Sequence, residues 1–210
     1  MWIHQETDGK GLLFQRAVSV HPWNYNYPSN FHSIVTTGEY SDYSSIKCKI
    51  DFLKRNNAVE LMLFFNAEFS EQSRYHNLYA FRLDGDAQRF RKAVFLKTSV
   101  IDPEKMSARN NFKVEEISQT FCTISLDRPL DCDIQFSGKT TSLYINNTRI
   151  LSVKTETPLN RGKIGLGIKN SQINVYDFKL FKKNELLFHD DFSKDSMKRL
   201  KATLQRVPAK

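Results

Sequence analysis

The sequence predicts an all-β protein made of two packed antiparallel sheets. Short runs of alternating apolar and polar residues recur along the chain and are separated by Gly, Asn and Pro, a pattern typical of strands joined by tight turns. Strands do not alternate with helical patterns, which argues against a parallel sheet. The chain has 210 residues, of which 40% are apolar, so one domain of this class can bury a large core.

The clearest pattern lies in residues 132–181. Three apolar runs are separated by turns at Gly138 and at Asn146-Asn147, and a linker at Pro158 leads to two further runs. Gly and Asn suit tight hairpin turns because they accept positive φ angles. This segment therefore predicts a β-meander.

Further strands are predicted before and after the meander, at 11–19, 43–53, 58–66, 77–84, 93–97, 112–117, 120–126 and 185–192. The 43–53 run alternates and predicts a half-buried strand. The 58–66 run is nearly all apolar and predicts a central strand covered on both faces. Arg55-Asn56-Asn57 predicts a turn between these two strands, and a short helix is compatible with 103–109.

Residues 193–210 predict a basic tail. Met197, Leu200, Leu204 and Val207 recur at helical spacing with Lys and Arg between them, so the segment is predicted to be a short amphipathic helix or an extended tail. We therefore divide the chain into a sandwich over 1–192 and a tail over 193–210.

The net charge of +8 indicates either acidic partners or simply a well-solvated surface. Acidic partners would be sulfated or uronic glycans, nucleic acid or anionic lipid, and the absence of a run of about five basic residues disfavours nucleic acid. No stretch of about 18 apolar residues predicts a membrane span. The first residues lack the pattern of a signal peptide, so a cytoplasmic protein or a domain of a longer chain is expected.

The three cysteines, Cys48, Cys122 and Cys132, predict no zinc site, because they form no Cys-x-x-Cys pair and no histidine cluster lies near them. Cys48 and Cys122 alternate with apolar residues, which predicts small buried side chains. An odd number of cysteines argues against a disulfide-built module but leaves a single bridge open.

The order of strands and turns resembles the concanavalin A-like lectin and glucanase superfamily, in particular its laminin-G-like and family-sixteen-glucanase-like jelly rolls. The matching segments are 77–83, 133–153, 162–168 and 173–180, and the resemblance extends over roughly 11–192. It implies a jelly-roll sandwich whose ligand lies on the concave sheet or in the loops at its rim. A pattern of strands implies a fold rather than an activity.

Two departures from that superfamily favour a non-catalytic protein. The Glu-x-Asp-x-x-Glu strand of family-sixteen glucanases is absent, and Glu60 and Glu68 are candidate carboxylates by residue type only. No run matches the calcium loop of legume lectins, and Asp190, Asp191 and Asp195 lack the spacing of an EF-hand loop. No cofactor is therefore predicted, and calcium has no motif to support it.

The first candidate ligand site is the loop 20–33, in which two prolines favour an extended path. Trp23, Tyr25 and Tyr27 alternate and would point to one side. Their rings could stack against the C–H faces of a sugar, with His32 supplying a polar contact. The alternative is that these rings cap an open end of the sandwich.

The second candidate site contains Arg74, His76, Asn77 and Arg82. Arginine can fork onto a carboxylate or a sulfate. If Tyr79 faces the core, Arg82 projects from the opposite face of the same strand. The alternative is an ordinary solvated sheet face, on which charged side chains contribute little.

These patterns together predict a non-catalytic, lectin-like module that binds a glycan. Because the chain is positively charged, an acidic glycan is compatible with this prediction. Two other classes stay open. One is a glycoside hydrolase or lyase with an unfamiliar site, and the other is a structural or protein-interaction domain with a protein partner.

Overall fold

The structure is a computed structural model, and it describes residues 2–7, 10–15, 32–36, 39–69, 75–101, 112–190 and 200–203. These residues form fourteen strands in one hydrogen-bonded network, and no helix occurs among them. In chain order the strands are β1 (Trp2–Thr7), β2 (Lys10–Gln15), β3 (His32–Thr36), β4 (Tyr40–Ser41), β5 (Ser45–Phe69), β6 (Tyr75–Gly85), β7 (Arg89–Val100), β8 (Phe112–Ser125), β9 (Leu130–Ser137), β10 (Thr140–Ile145), β11 (Thr148–Lys154), β12 (Arg161–Lys182), β13 (Glu185–Asp190) and β14 (Leu200–Thr203). The predicted all-β class is confirmed.

Two long strands, β5 and β12, hold the architecture together. They pair antiparallel along most of their length, with several register shifts. The first half of β5 is flanked by β9 and the second half by β6, whereas β12 is flanked by β3 near its start and by β13 at its end. Strands that bend at bulges in this way can pass from one sheet to the other.

The result is two layers that share β5 and β12. The first, which we call the β9 layer, contains β11, β10, β9, the first half of β5, the second half of β12, and β13. The second, which we call the β6 layer, contains β8, β7, β6, the second half of β5, the first half of β12, β3, and β14. Every pairing between neighbouring strands is antiparallel. The predicted two-sheet antiparallel sandwich is therefore confirmed.

The core fills the space between the two layers. Phe65 of β5 lies at its centre, with its ring centroid 5.9 Å from that of Phe81, 6.3 Å from that of Phe95 and 5.1 Å from that of Phe136. The buried Tyr43 hydroxyl donates a hydrogen bond to the carbonyl of Arg161 at 2.8 Å. Rings from both layers thus interlock across the core, as aromatic side chains do when edges meet faces.

The centre of the β6 layer is buried on both of its faces. Its face away from the core carries a second apolar cluster, formed by Met62, Phe64, Ala67, Leu78, Ala80, Val94 and Leu96. All seven side chains are buried. The prediction that 58–66 is a central strand covered on both faces is therefore confirmed.

The meander is confirmed, and its turns use the residues that the sequence indicated. Gly138, Asn146 and Asn147 have φ angles of 58°, 50° and 65°, the left-handed conformation that a tight hairpin requires. The Asn146-Asn147 turn joins β10 to β11, and the register on either side is antiparallel.

The predicted turn at Arg55-Asn56-Asn57 is wrong, because β5 continues through these residues. The predicted break between 162–168 and 173–181 is wrong for the same reason, since β12 is one strand. Both strands bend here instead, with a register shift between Lys169 and Ser171. Asn170 has a φ of 58° and donates a side-chain hydrogen bond to the Ala58 carbonyl at 2.7 Å, which fixes the corner.

The helical alternative for the tail is wrong over Leu200–Thr203, which is strand β14 paired with β3. An open sheet edge offers backbone partners for an extended chain, whereas a short isolated helix is marginal in water. The helix considered at 103–109 lies outside the described residues, and a domain boundary at 192 stays a prediction. In the part of the chain that is described, no helix is long and apolar enough to cross a membrane.

Candidate functional site

Four of the predicted ligand-binding residues lie outside the described residues: Trp23, Tyr25, Tyr27 and Arg74. His32 is the first residue of β3 and His76 lies in β6, and only their strand positions are described. The aromatic loop therefore stays a prediction.

Asn77 and Arg82 belong to different places on β6. Asn77 Nδ2 donates to Glu68 Oε2 at 3.0 Å, at the end of the strand that is far from the β6–β7 turn. Arg82 lies five residues further along the strand, which is about 17 Å and on the opposite face. The structure therefore does not combine them into one site.

Arg82 instead adjoins a line of polar side chains that crosses the β6 layer. Lys169, Glu60, Asp84, Lys92 and Phe121 are successive cross-strand partners on β12, β5, β6, β7 and β8. Directly paired residues point to the same face of a sheet. The five residues span four strand spacings, so the line that they form is about 19 Å long. We call these five residues, with Arg82 and Glu116 beside them, the charged row.

Ion pairs fix the side chains of the charged row. Lys169 Nζ lies 2.6 Å from Glu60 Oε1. Arg82 lies between two carboxylates, with Nε 2.6 Å from Asp84 Oδ1 and Nη2 2.9 Å from Glu116 Oε1. Lys92 Nζ is 3.6 Å from Glu116 Oε2. Three cations thus face three carboxylates, and the row has no net charge.

Arg82 is held more firmly than a surface arginine. Its side chain is only 13% exposed, and its cross-strand partners Met62 and Val94 are buried apolar residues. A guanidinium in such surroundings is more weakly screened by solvent and keeps its geometry better than one on a mobile surface side chain. The predicted orientation of Arg82, away from Tyr79 and the core, agrees with this placement.

Phe121 is the exposed end of the charged row. It is 87% exposed, the largest value among the exposed large apolar side chains of the described residues. The ligand-binding residues predicted from the sequence do not include it. The sequence contains the signal, because Cys122 alternates with the apolar Ile124 and is predicted to be buried, and Phe121 falls on the opposite parity of the same strand. Strand parity alone therefore places an aromatic side chain on the outward face at this position.

Two carboxyl groups at the end of β6 have opposite electrostatic surroundings. Burial raises the pKa of Asp84, although the adjacent Arg82 partly offsets this effect. The backbone N–H of Gln88 and the guanidinium of Arg91 lower the pKa of Asp86 to about 2. The first group lies in the charged row and the second in the β6–β7 turn, so hydration changes sharply over two residues.

An open depression of about 790 Å³ lies beside the same turn, lined by Leu53, Lys54, Arg55, Asn56, Ala87 and Gln172. Arg55 Nη1 donates to the Leu126 carbonyl at 2.7 Å, which holds the guanidinium against the backbone. Three of the lining residues, Asn56, Ala87 and Gln172, lie within four positions of Glu60, Asp84 and Lys169, which belong to the charged row. Both features therefore lie at the same end of the β6 layer.

The carboxylates that residue type suggested for catalysis do not form a pair. Glu60 and Glu68 lie eight residues apart on β5, which places them more than about 20 Å apart, whereas the two carboxyl groups of a glycosidase lie within about 10 Å. Among the described side chains, no group of three or more His, Cys, Asp or Glu is arranged to hold a metal ion. Asp190 is described and buried, and Asp191 and Asp195 lie outside the described residues.

Comparison with solved structures identifies similar folds. The carbohydrate-binding module CBM66 from Bacillus subtilis superposes with a TM-score of 0.52 at 12% sequence identity, over 83% of this chain and 88% of that one. A family 16 glycoside hydrolase from Bacteroides ovatus, in complex with the product G4G4G3G, has a TM-score of 0.53 at 7% identity, over 86% and 85%. No family model and no curated protein sequence matches the chain. The fold is thus the concanavalin A-like jelly roll that the strand pattern resembles.

Proposed function

We propose that this chain is a non-catalytic carbohydrate-binding module whose ligand lies along the charged row and against Phe121. The observation that carries the proposal is one highly exposed aromatic ring in register with a half-buried set of ion-paired side chains. A carbohydrate-binding module and a glycoside hydrolase among the similar structures support a sugar as the ligand.

The chemistry of the charged row suits a sugar. A pyranose presents C–H groups that stack on an aromatic face and hydroxyls that need donors and acceptors in fixed positions. Phe121 supplies the ring, and Arg82, Asp84 and Glu116 supply planar groups that are already ordered by their ion pairs. Fixed polar groups lower the entropy lost on binding.

The apolar residues that share the outer face of the β6 layer with the charged row contribute no binding surface. Met62, Phe64, Ala80 and Leu96 are buried, so within the described portion of this face a ligand reaches the charged row rather than the centre of the sheet. The resemblance implied a ligand on the concave sheet or in the loops at its rim. On the sheet, the proposed site is limited to the charged row.

The test is the affinity of the Phe121→Ala variant for a glycan selected from an array and measured by calorimetry. Loss of one stacking ring lowers the affinity about tenfold. The matched control is Tyr176→Ala, which removes an aromatic residue, 37% exposed, from the other layer and leaves the affinity unchanged. Equal affinities of the wild type and both variants would contradict a site at the charged row.

The loop 20–33 supplies a second contact in the same proposal, through Trp23, Tyr25, Tyr27 and His32. Trp23→Ala tests this part independently of the charged row. A loss of affinity in Trp23→Ala with none in Phe121→Ala would place the ligand at the loop and remove it from the row. Unchanged affinity and folding in Trp23→Ala would remove the loop contact.

The net neutrality of the charged row favours a neutral glycan over an acidic one, despite the net charge of the whole chain. The array therefore includes neutral and sulfated sugars at low and moderate salt. We expect a discrete neutral hit whose affinity resists salt. Diffuse, salt-sensitive binding to sulfated sugars would instead show the response of a positively charged surface, and would favour the protein-interaction class.

One observation favours a glycoside hydrolase as a second candidate. Glu60 and Asp84 are cross-strand neighbours, and the raised pKa of Asp84 is a property of a general acid. Both carboxylates are paired with cations at 2.6 Å, however, so a proton transfer by either group would have to give up an ion pair. Turnover of a polysaccharide by the wild type, abolished in Asp84→Asn, would establish the hydrolase instead.

A further inference from the structure

Two of the three cysteines face each other across neighbouring strands of the β9 layer. Cys48 of β5 is in register with Cys132 of β9, and the two side chains are 5% and 3% exposed. Directly paired residues of antiparallel strands have Cα atoms roughly 4.5 or 5.5 Å apart. Both separations fall within the range of roughly 4.4–6.8 Å that a disulfide bond requires.

The side chains also point the right way for a bond. Residues in direct register lie on the same face of a sheet, and both cysteines belong to the core cluster between the layers. Their thiols are close enough to share a hydrogen bond. Cys122 is separate from this pair, because it lies half-buried on β8 of the other layer, and its neighbour β7 contains no cysteine.

We propose that Cys48 and Cys132 form an intramolecular disulfide bond when the chain folds in the presence of a small-molecule disulfide such as oxidised glutathione. One cysteine thiolate attacks a sulfur of oxidised glutathione, which releases one glutathione thiolate and leaves a mixed disulfide. The second cysteine thiolate attacks the protein sulfur of that mixed disulfide and releases the second glutathione. The two protein thiols lose two protons and two electrons, and one oxidised glutathione becomes two reduced molecules.

Burial of the two thiols determines at which stage of folding the thiol–disulfide exchange takes place. The hydrogen bond with Cys132 and the apolar surroundings raise the pKa of the Cys48 thiol, and the thiolate is the reactive form. The packed, reduced protein therefore reacts slowly, whereas the chain reacts readily before β5 and β9 are covered. The same burial protects the finished bond from reduction.

The bond would connect two distant positions of the unfolded chain. It closes a loop of roughly 85 residues that includes β6, β7 and β8, and loops of this size restrict the denatured ensemble strongly. The oxidised protein is therefore expected to unfold at a temperature roughly 10 °C higher than the reduced protein.

The experiment refolds the reduced, denatured chain in a glutathione redox buffer and counts its free thiols. We expect the count to fall from three to one, and a non-reducing digest analysed by mass spectrometry to contain one cross-linked peptide pair that joins Cys48 to Cys132. The thermal midpoint rises and returns to its former value after reduction.

Two variants control the assignment. Cys122→Ala removes the unpaired cysteine and is expected to refold with no free thiol. Cys132→Ala retains both of its remaining thiols. Full retention of free thiols in Cys122→Ala, or a cross-link that includes Cys122 in the wild type, would overturn the proposal. Because Cys122 lies outside the pair, its variant decides the question even if Cys132→Ala folds poorly.

Discussion

Two lines of charged side chains cross this protein, one on each layer, and they differ in the burial of one cation in each, Arg82 and Lys47. The charged row lies on the β6 layer. On the β9 layer, His189, Lys179, Lys47 and Asp133 are successive cross-strand partners on β13, β12, β5 and β9, and we call them the β9-layer row. Both have ion pairs, yet the Arg82 side chain is 13% exposed and that of Lys47 is 52% exposed.

The difference arises from the residues on either side. The cross-strand partners of Arg82 are the buried Met62 and Val94. Its guanidinium is therefore partly desolvated, and its charge is compensated by its carboxylate partners. Lys47 lies between Lys179 and Asp133, and its ammonium is 3.7 Å from Asp133 Oδ2. Exposed pairs of this kind contribute little to stability, whereas buried ones become costly when a partner is lost.

Alternating charge on a strand is therefore not a functional signal by itself. Arg82 is largely desolvated and is held in a fixed position by its carboxylate partners. Lys47, by contrast, is well solvated. Substitutions that remove one charge from each row separate the two situations.

The largest effect is expected for Arg82→Ala. This change leaves the partly buried Asp84 without its closest cation, and we expect the free energy of unfolding to fall by about 3 kcal/mol. Urea unfolding followed by fluorescence measures the change. Lys47→Ala is the matched control, with an expected loss of under about 1 kcal/mol. Similar losses in both variants would show that the two rows are equally solvated.

A smaller effect is expected in the pH dependence of Asp84. Because its pKa is raised in the folded protein, folding favours the protonated form. This group therefore stabilises the fold relatively more at acidic pH, and that contribution is lost as the pH rises from about 3.8 through the raised pKa. In Asp84→Asn this part of the pH dependence disappears, which urea unfolding at a series of pH values measures.

Asp86→Asn is the control with the opposite sign. The pKa of Asp86 is lowered to about 2, so its contribution is present above about pH 4 and is lost as the pH falls towards 2. The two variants should therefore change the stability profile in opposite directions and in different windows. Parallel changes would contradict the assigned environments of the two carboxyl groups.

The sequence predicts features that depend on local pattern and misses those that depend on distant partners. Gly138 and the Asn-Asn turn were identified because hairpin turns need residues that accept positive φ. The face of Arg82 followed from strand parity. The turn at 55–57 was wrong because Asn residues are typical of turns, while the actual conformation is set by pairing with β12. Phe121 was missed although strand parity places it on the outward face, because its significance depends on its register with Lys92 of β7.

The smallest effect is expected for His189→Gln on the β9-layer row. His189 Nε2 lies 2.6 Å from Asp177 Oδ1, and both side chains are about one third exposed, so solvent replaces most of the lost interaction. We expect a stability change of under about 0.5 kcal/mol and no change in glycan affinity, measured by urea unfolding and calorimetry. A loss of affinity as large as that of Phe121→Ala would move the binding site to the β9 layer, because only a direct contact with the ligand makes such a well-solvated side chain important.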